Sequence, residues 1–148
     1  MVVCRKLYTD LPFAHRQHMH DGHCALIHGH NWSFEFTFGA DRLDPNGFVV
    51  DFGKLGWLRD FLEELFDHTL VLNADDPHLE GLEEALGGGD HSPMFAKIVI
   101  LPDVSCEGLA KYLFEKVNMQ LAGFARGVRV QEVTVYEDQK NSATATAF

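Results

Sequence analysis

The sequence predicts an α+β fold, an antiparallel four-stranded sheet with two helices on one face. Three observations predict it. Residues 32–38, WSFEFTF, alternate strictly between aromatic and polar side chains, the period of a half-buried strand. Two later stretches carry leucines and valines at helical spacing, which marks amphipathic helices. The elements follow in the order β, β, α, β, α, β, with hairpins the simplest link between neighbouring strands.

Taken in order, a long first strand is expected near residues 2–15. The second carries Trp32, Phe34, Phe36 and Phe38 on one face and Ser33, Glu35 and Thr37 on the other. DRLDPNGF then punctuates a turn with Pro45 and the Asn46-Gly47 pair. Leu55, Leu58, Leu62 and Leu65 form the stripe of the first helix. Asp51 is its expected cap, although Gly53 and Gly56 weaken its first turns. Residues 73–94 lose periodicity and include GGGD at 87–90, so they read as a surface excursion with a short helix at Leu79 to Leu86. KIVIL at 97–101 reads as a strand. The second helix runs from Ser105, its candidate cap, to Leu121, with Leu109, Leu113, Val117 and Leu121 every four residues. In the last strand, VRVQEVTVYE, the apolar parity changes between Val130 and Val133, which predicts a bulge. Residues 138–148 read as frayed.

At 148 residues the chain has the length of one globular domain. Its apolar runs reach only four residues, far short of the roughly 20 a membrane-spanning helix needs. No apolar stretch follows Arg5 and Lys6, which argues against a secretory signal. A net charge of −10 argues against a general nucleic-acid binder. The three cysteines, Cys4, Cys24 and Cys106, are too scattered for a disulfide framework and suggest a reducing cytoplasm.

Nine histidines stand out, six of them between His15 and His30. His28 and His30 flank Gly29 at the start of the aromatic strand, so their rings share a face. His15 ends the first strand, where a hairpin would set it opposite the pair. Three imidazoles with one open position are a common catalytic zinc arrangement. Two other readings stand beside it: surface histidines without a ligand role, or a closed structural site with Cys24 as fourth ligand. His18-Met19-His20 is a second His-x-His pair, and periodicity does not choose between the two. Cys24 reads either as a thiolate base or nucleophile near a metal or as a small buried hydrophobe. Asp67-His68 sits at the end of the first helix, where the dipole favours a cationic histidine, yet helix neighbours do not face each other. Glu137 shares the parity of Val133 and Val135. A carboxylate on that apolar face needs a partner and suits the adjacent N–H donors of a pterin or guanine.

These pieces together resemble the 6-pyruvoyl-tetrahydropterin synthase / 6-carboxy-tetrahydropterin synthase family. The matching strings are FAH at 13–15, CALIHGH at 24–30, GFVVDF at 47–52, FDHTLVLN at 66–73, SCEGLA at 105–110 and VTVYED at 133–138. The resemblance implies zinc held by His15, His28 and His30, with Cys24 as the proton-abstracting cysteine and Asp67 and His68 as its relay partners. It implies Glu137 as the pterin anchor and Ser105 beside the pterin. The implied architecture is the tunnelling fold, whose sheets close into a barrel on oligomerisation, usually as a dimer of trimers with active sites between subunits. The three residues between Cys24 and His28 resemble the bacterial 6-carboxy type of the queuosine pathway. The implied substrate is 7,8-dihydroneopterin triphosphate, and the implied products are 6-carboxy-tetrahydropterin, acetaldehyde and triphosphate. The pyruvoyl product, a zinc hydrolase and a zinc-stapled pterin-binding module are the alternatives. The chain departs from the family's usual pattern at Phe13, at PDVSC before the second helix and at Asp138 after Glu137. Zinc is the first source of positive charge for the triphosphate, and Arg16 with the nearby histidines can supply more.

Overall fold

A computed structural model describes residues 1–87, 92–125 and 127–147. Most of the GGGD run lies outside the described residues. Six strands form one sheet: β1 (Val2–His15), β2 (His28–Ala40), β3 (Leu70–Asn73), β4 (Ile98–Leu101), β5 (Val128–Tyr136) and β6 (Ser142–Thr146), in the order β4-β3-β1-β2-β5-β6. The pairs β1–β2, β2–β5 and β5–β6 are antiparallel. β3 runs parallel to both β1 and β4. The sheet therefore extends the expected four strands by two. The fourth antiparallel strand is β6, from the segment expected to fray, while 98–101 joins the parallel wing.

One face of the sheet is the core. Trp32, Phe34, Phe36 and Phe38 of β2 are fully buried, as the alternation predicts. Phe13 stacks on Trp32 at 4.4 Å and on Phe66 at 4.7 Å between ring centroids. Helix α1 (Gly56–Phe66) covers these rings with Leu58, Leu62 and Phe66. Asp51 caps not α1 but the short 3₁₀ turn before it, accepting a hydrogen bond from the Gly53 N–H. Helix α2 (Leu79–Leu86) buries none of its residues. Helix α3 (Cys106–Ala122) turns Leu109, Leu113, Val117 and Leu121 inward, and Ser105 caps it by accepting from the Gly108 N–H at 2.9 Å. The turn after β2 is held by Asp44, whose carboxylate accepts from the N–H groups of Asn46 and Phe48, with Gly47 at φ 82°.

Two bulges aim the site. Pairing between β2 and β5 slips between Thr37 and Phe38, where Gln131 is the extra residue, as the parity change predicts. A second slip, between Tyr8 and Leu11 of β1, centres on Asp10 at φ 62°, whose carboxylate accepts from the Asn31 amide at 3.0 Å. An extra residue exchanges the two faces of a strand. The first bulge sets Glu137 on the side of Val133 and Val135. The second sets His15 on the side of Leu11 and Phe13, although Tyr8 is the buried residue before it.

Candidate active site

Beyond the aromatic core, the same sheet face ends in imidazoles. His15 pairs with His28 across the β1–β2 ladder, and Phe13 pairs with His30. Trp32 underlies two of the rings edge-on, 4.9 Å from His15 and 5.2 Å from His30 between centroids. The ring nitrogens of His15, His28 and His30 and a carboxylate oxygen of Glu137 all lie within 4.8 Å of one another.

The donor set fits a metal ion. His15 Nδ1 lies 2.8 Å from the Val104 carbonyl, and His28 Nδ1 lies 2.6 Å from the Leu26 carbonyl. A carbonyl only accepts, so each Nδ1 carries the proton and each Nε2 presents a lone pair, the tautomer that metal-ligating histidines adopt. Nε2 of His15 and of His30 are buried without a hydrogen-bond partner. Glu137 Oε1 stands 3.2 Å from His30 Nε2 and 3.7 Å from His15 Nε2. Orphaned buried nitrogens are costly, and a shared cation would satisfy them together.

Burial lowers the His15 pKa from 6.5 to about 4; the Val104 carbonyl opposes this, and His28 and His30 add to it. The ring is thus neutral at neutral pH. The unfolded chain takes up the proton more readily, so stability is fully present above pH 6.5 and is lost as pH falls toward 4. Metal-free protein is expected to lose about 3 kcal/mol across that window from this group. Urea unfolding at stepped pH measures it, and His15→Gln should flatten the profile.

Cys24 is exposed in the 3₁₀ turn His23–Ala25 and is not among the converging donors. Instead it lines a cavity of about 470 Å³ with His15, Ser105, Cys106 and Glu137. The fourth donor beside the imidazoles is the Glu137 carboxylate, for which the sequence suggests only the N–H donors of a pterin or guanine as partner. Its parity was the available signal, because β5 pairs with β2 and so shares the histidine face. Cys106, which the sequence did not single out, lines the same cavity but donates its thiol proton to the Val135 carbonyl at 3.2 Å. Burial, then Glu137 and Glu107, push that thiol up to about 11, so it stays protonated.

The second His-x-His pair does not converge. His18 Nε2 lies 3.8 Å from Asp75, while His20 Nδ1 accepts from the Gly22 N–H. Arg16, one candidate source of positive charge, is already paired: its guanidinium is held by the buried Asp76, with Nε 2.8 Å from Oδ2. Asp67 and His68 lie just past α1, not within it. His68 adopts φ 58°, which lets adjacent side chains meet, and its Nδ1 is 2.7 Å from Asp67 Oδ1. His68 and Cys24 line different cavities of the chain. His68 is largely exposed and lines a separate cleft of about 690 Å³ with Phe13, Gly29, Met94 and Phe95.

A family profile described as 6-pyruvoyl tetrahydropterin synthase matches residues 6–147. The chain belongs to this family. Curated relatives include proteins named 6-carboxy-5,6,7,8-tetrahydropterin synthase. The one from Aquifex aeolicus is 29% identical over 126 residues, 81% of this chain and 74% of its own. The one from Rickettsia conorii is 36% identical over 80 residues, 53% of this chain. The matched stretch spans only 57% of the Rickettsia relatives' length. Among solved structures, an uncharacterized protein from Wolinella succinogenes superposes with a TM-score of 0.81 at 21% identity over all of both chains. The 6-pyruvoyltetrahydropterin synthase of Plasmodium vivax gives 0.68 at 21%, covering 98% of each chain. The family member thus has the tunnelling fold, and the sequence resemblance named the right family. Among the described residues, no helix is long and apolar enough to cross a membrane.

Proposed function

We propose that this chain, as one domain over residues 1–148, is a zinc-dependent 6-carboxy-tetrahydropterin synthase. It converts 7,8-dihydroneopterin triphosphate to 6-carboxy-5,6,7,8-tetrahydropterin, acetaldehyde and triphosphate, in the cytoplasm and toward queuosine. The observation that carries the reading is the division of labour at the site: three imidazoles and Glu137 converge, while Cys24 stays outside that group yet opens on the same cavity. The short spacing from Cys24 to His28 and the names of the curated relatives favour the carboxy type.

His15, His28 and His30 would hold the zinc, which would supply Lewis acidity that makes nearby substrate C–H bonds easier to deprotonate. Cys24 Sγ takes a proton from a substrate side-chain carbon. His68, oriented by Asp67, returns one to another carbon. Glu137 accepts the paired N–H donors of the pterin, and Ser105, at the head of α3, lies beside the ring. Because His68 and Cys24 line different cavities of one chain, a complete site needs two copies. A dimer of trimers supplies them, and the sheet edges favour it. On its outer side β1 pairs only at Ala14 and His15, and Val2, Val3 and Leu7 are exposed. Such an open edge invites a strand from another copy.

The test is incubation of zinc-loaded protein with 7,8-dihydroneopterin triphosphate and identification of products by mass. Equimolar acetaldehyde and the 6-carboxy product support the reading. A pyruvoyl product without acetaldehyde would reassign the reaction, and no turnover would reject it. Removing the metal with a chelator should abolish turnover, and zinc should restore it. His28→Ala is expected to weaken zinc by more than about 100-fold, measured by competition with a chromophoric chelator.

A further inference from the structure

We propose that Lys140, in the β5–β6 turn, recognises the polyphosphate tail of the substrate, so that this turn is the anionic subsite of the cavity holding Cys24. The inference rests on the pterin reading above and goes beyond it by naming the residue that selects a phosphorylated substrate. A chain with net charge −10 must bind a tail of several negative charges. The cavity itself presents two carboxylates, Glu107 and Glu137, and Lys140 is the only lysine or arginine among its lining residues. Arg16, the cation nearest to Cys24 in sequence, is taken by Asp76.

Lys140 is also unspent. Its ammonium joins none of the ion pairs among the described residues. The acid beside it, Asp138, uses its oxygens on the turn: Oδ1 accepts from the N–H groups of Lys140 and Asn141 at 2.8 and 2.7 Å, and Oδ2 accepts from the Asn141 amide at 3.2 Å. The Glu137 N–H donates to the Asn141 carbonyl at 3.0 Å, which closes the turn. The backbone under Lys140 is therefore fixed before anything binds, which limits the entropy lost on binding. Asn141 and Ser142, beside it on the cavity wall, supply neutral polar groups. An ammonium flanked by an amide and a hydroxyl suits phosphate oxygens. Glu137 then holds the ring end and Lys140 the tail end of one ligand.

Calorimetry of inorganic triphosphate against the metal-free full chain is the first arm, since chelation of zinc does not interfere. Lys140→Ala should weaken binding about tenfold and flatten its salt dependence. Lys140→Arg should keep it, and Lys54→Ala, an exposed lysine elsewhere, should match the natural chain. In the zinc-loaded chain, Lys140→Ala should raise KM for 7,8-dihydroneopterin triphosphate with little change in kcat. Its affinity for phosphate-free 7,8-dihydroneopterin should not move. Unchanged triphosphate binding in Lys140→Ala would overturn the inference and leave the pterin reading intact. If the natural chain binds neither pterin while Lys140→Ala still weakens triphosphate binding, the pterin reading falls and the anion site stands.

Discussion

Cys24→Ala is expected to lower turnover of 7,8-dihydroneopterin triphosphate by about 10²–10⁴-fold, the usual worth of a positioned acid–base group, while bound zinc stays stoichiometric. Both halves of that result follow from position. The thiol lies outside the four converging donors, so removing it would take no ligand from an ion held there. It is exposed and opens on the cavity shared with His15 and Glu137, so a substrate there meets it. No second thiol substitutes, because Cys106 is held protonated with its hydrogen on Val135. Zinc content by elemental analysis and turnover by product mass are the two readouts. Joint loss of zinc and activity would show that sulfur is a ligand and would restore the closed Cys-His₃ site. Cys24→Ala and His68→Ala subunits, each inactive alone, should regain activity when unfolded and reassembled together, because a mixed pair can build one intact site from two chains.

The convergence of His15, His28 and His30 was legible in the sequence because it obeys strand geometry. Residues two apart share a face, and a hairpin sets His15 against His28. Glu137 was legible by parity, although its closeness to the imidazoles depends on β5 lying beside β2, a pairing that periodicity does not encode. The bulge at Gln131 announced itself as a change of apolar parity. The bulge at Asp10 did not, because Thr9 and Asp10 sit in a segment whose polar and apolar residues do not alternate cleanly. The two added strands escaped for opposite reasons. β3, LVLN, is buried on both faces, and a short continuous apolar run fits a strand or a helix segment equally. β6, SATAT, is too polar to mark a core face. It is held by its ladder with β5 and by the contact of Thr134 and Thr144 hydroxyls at 2.7 Å. Asp67 and His68 were legible as a pair, but their meeting depends on a left-handed backbone at His68 that neither residue type dictates.

Arg16→Ala is expected to cost about 3–5 kcal/mol of stability, the penalty for stranding a buried charge. The Asp76 side chain has no solvent exposure, and Arg16 meets it with Nε at 2.8 Å and Nη2 at 3.3 Å. Burial acts to raise the Asp76 pKa, but the His78 N–H and the Arg16 guanidinium outweigh it and hold the carboxyl below its ordinary value. Removing the guanidinium takes away both of its hydrogen bonds and leaves the buried carboxylate with the His78 N–H. The double variant Arg16→Ala/Asp76→Ala should recover much of the loss, since no charge is then left behind. Arg16→Lys should not, because an ammonium cannot span both carboxylate oxygens. Urea unfolding of the metal-free protein at one protomer concentration measures all three, and a loss below about 1 kcal/mol in Arg16→Ala would place the pair among weak surface bridges. The same side chain also reaches the site. Its Nη1 donates to the Ala25 carbonyl at 3.3 Å, and the Gln17 N–H donates to the Cys24 carbonyl at 2.7 Å. Arg16 thus ties the loop before α2 to the turn that carries the thiol. Arg16→Ala should therefore lower kcat even under conditions where the variant is fully folded, whereas a purely structural role would leave kcat per folded molecule unchanged.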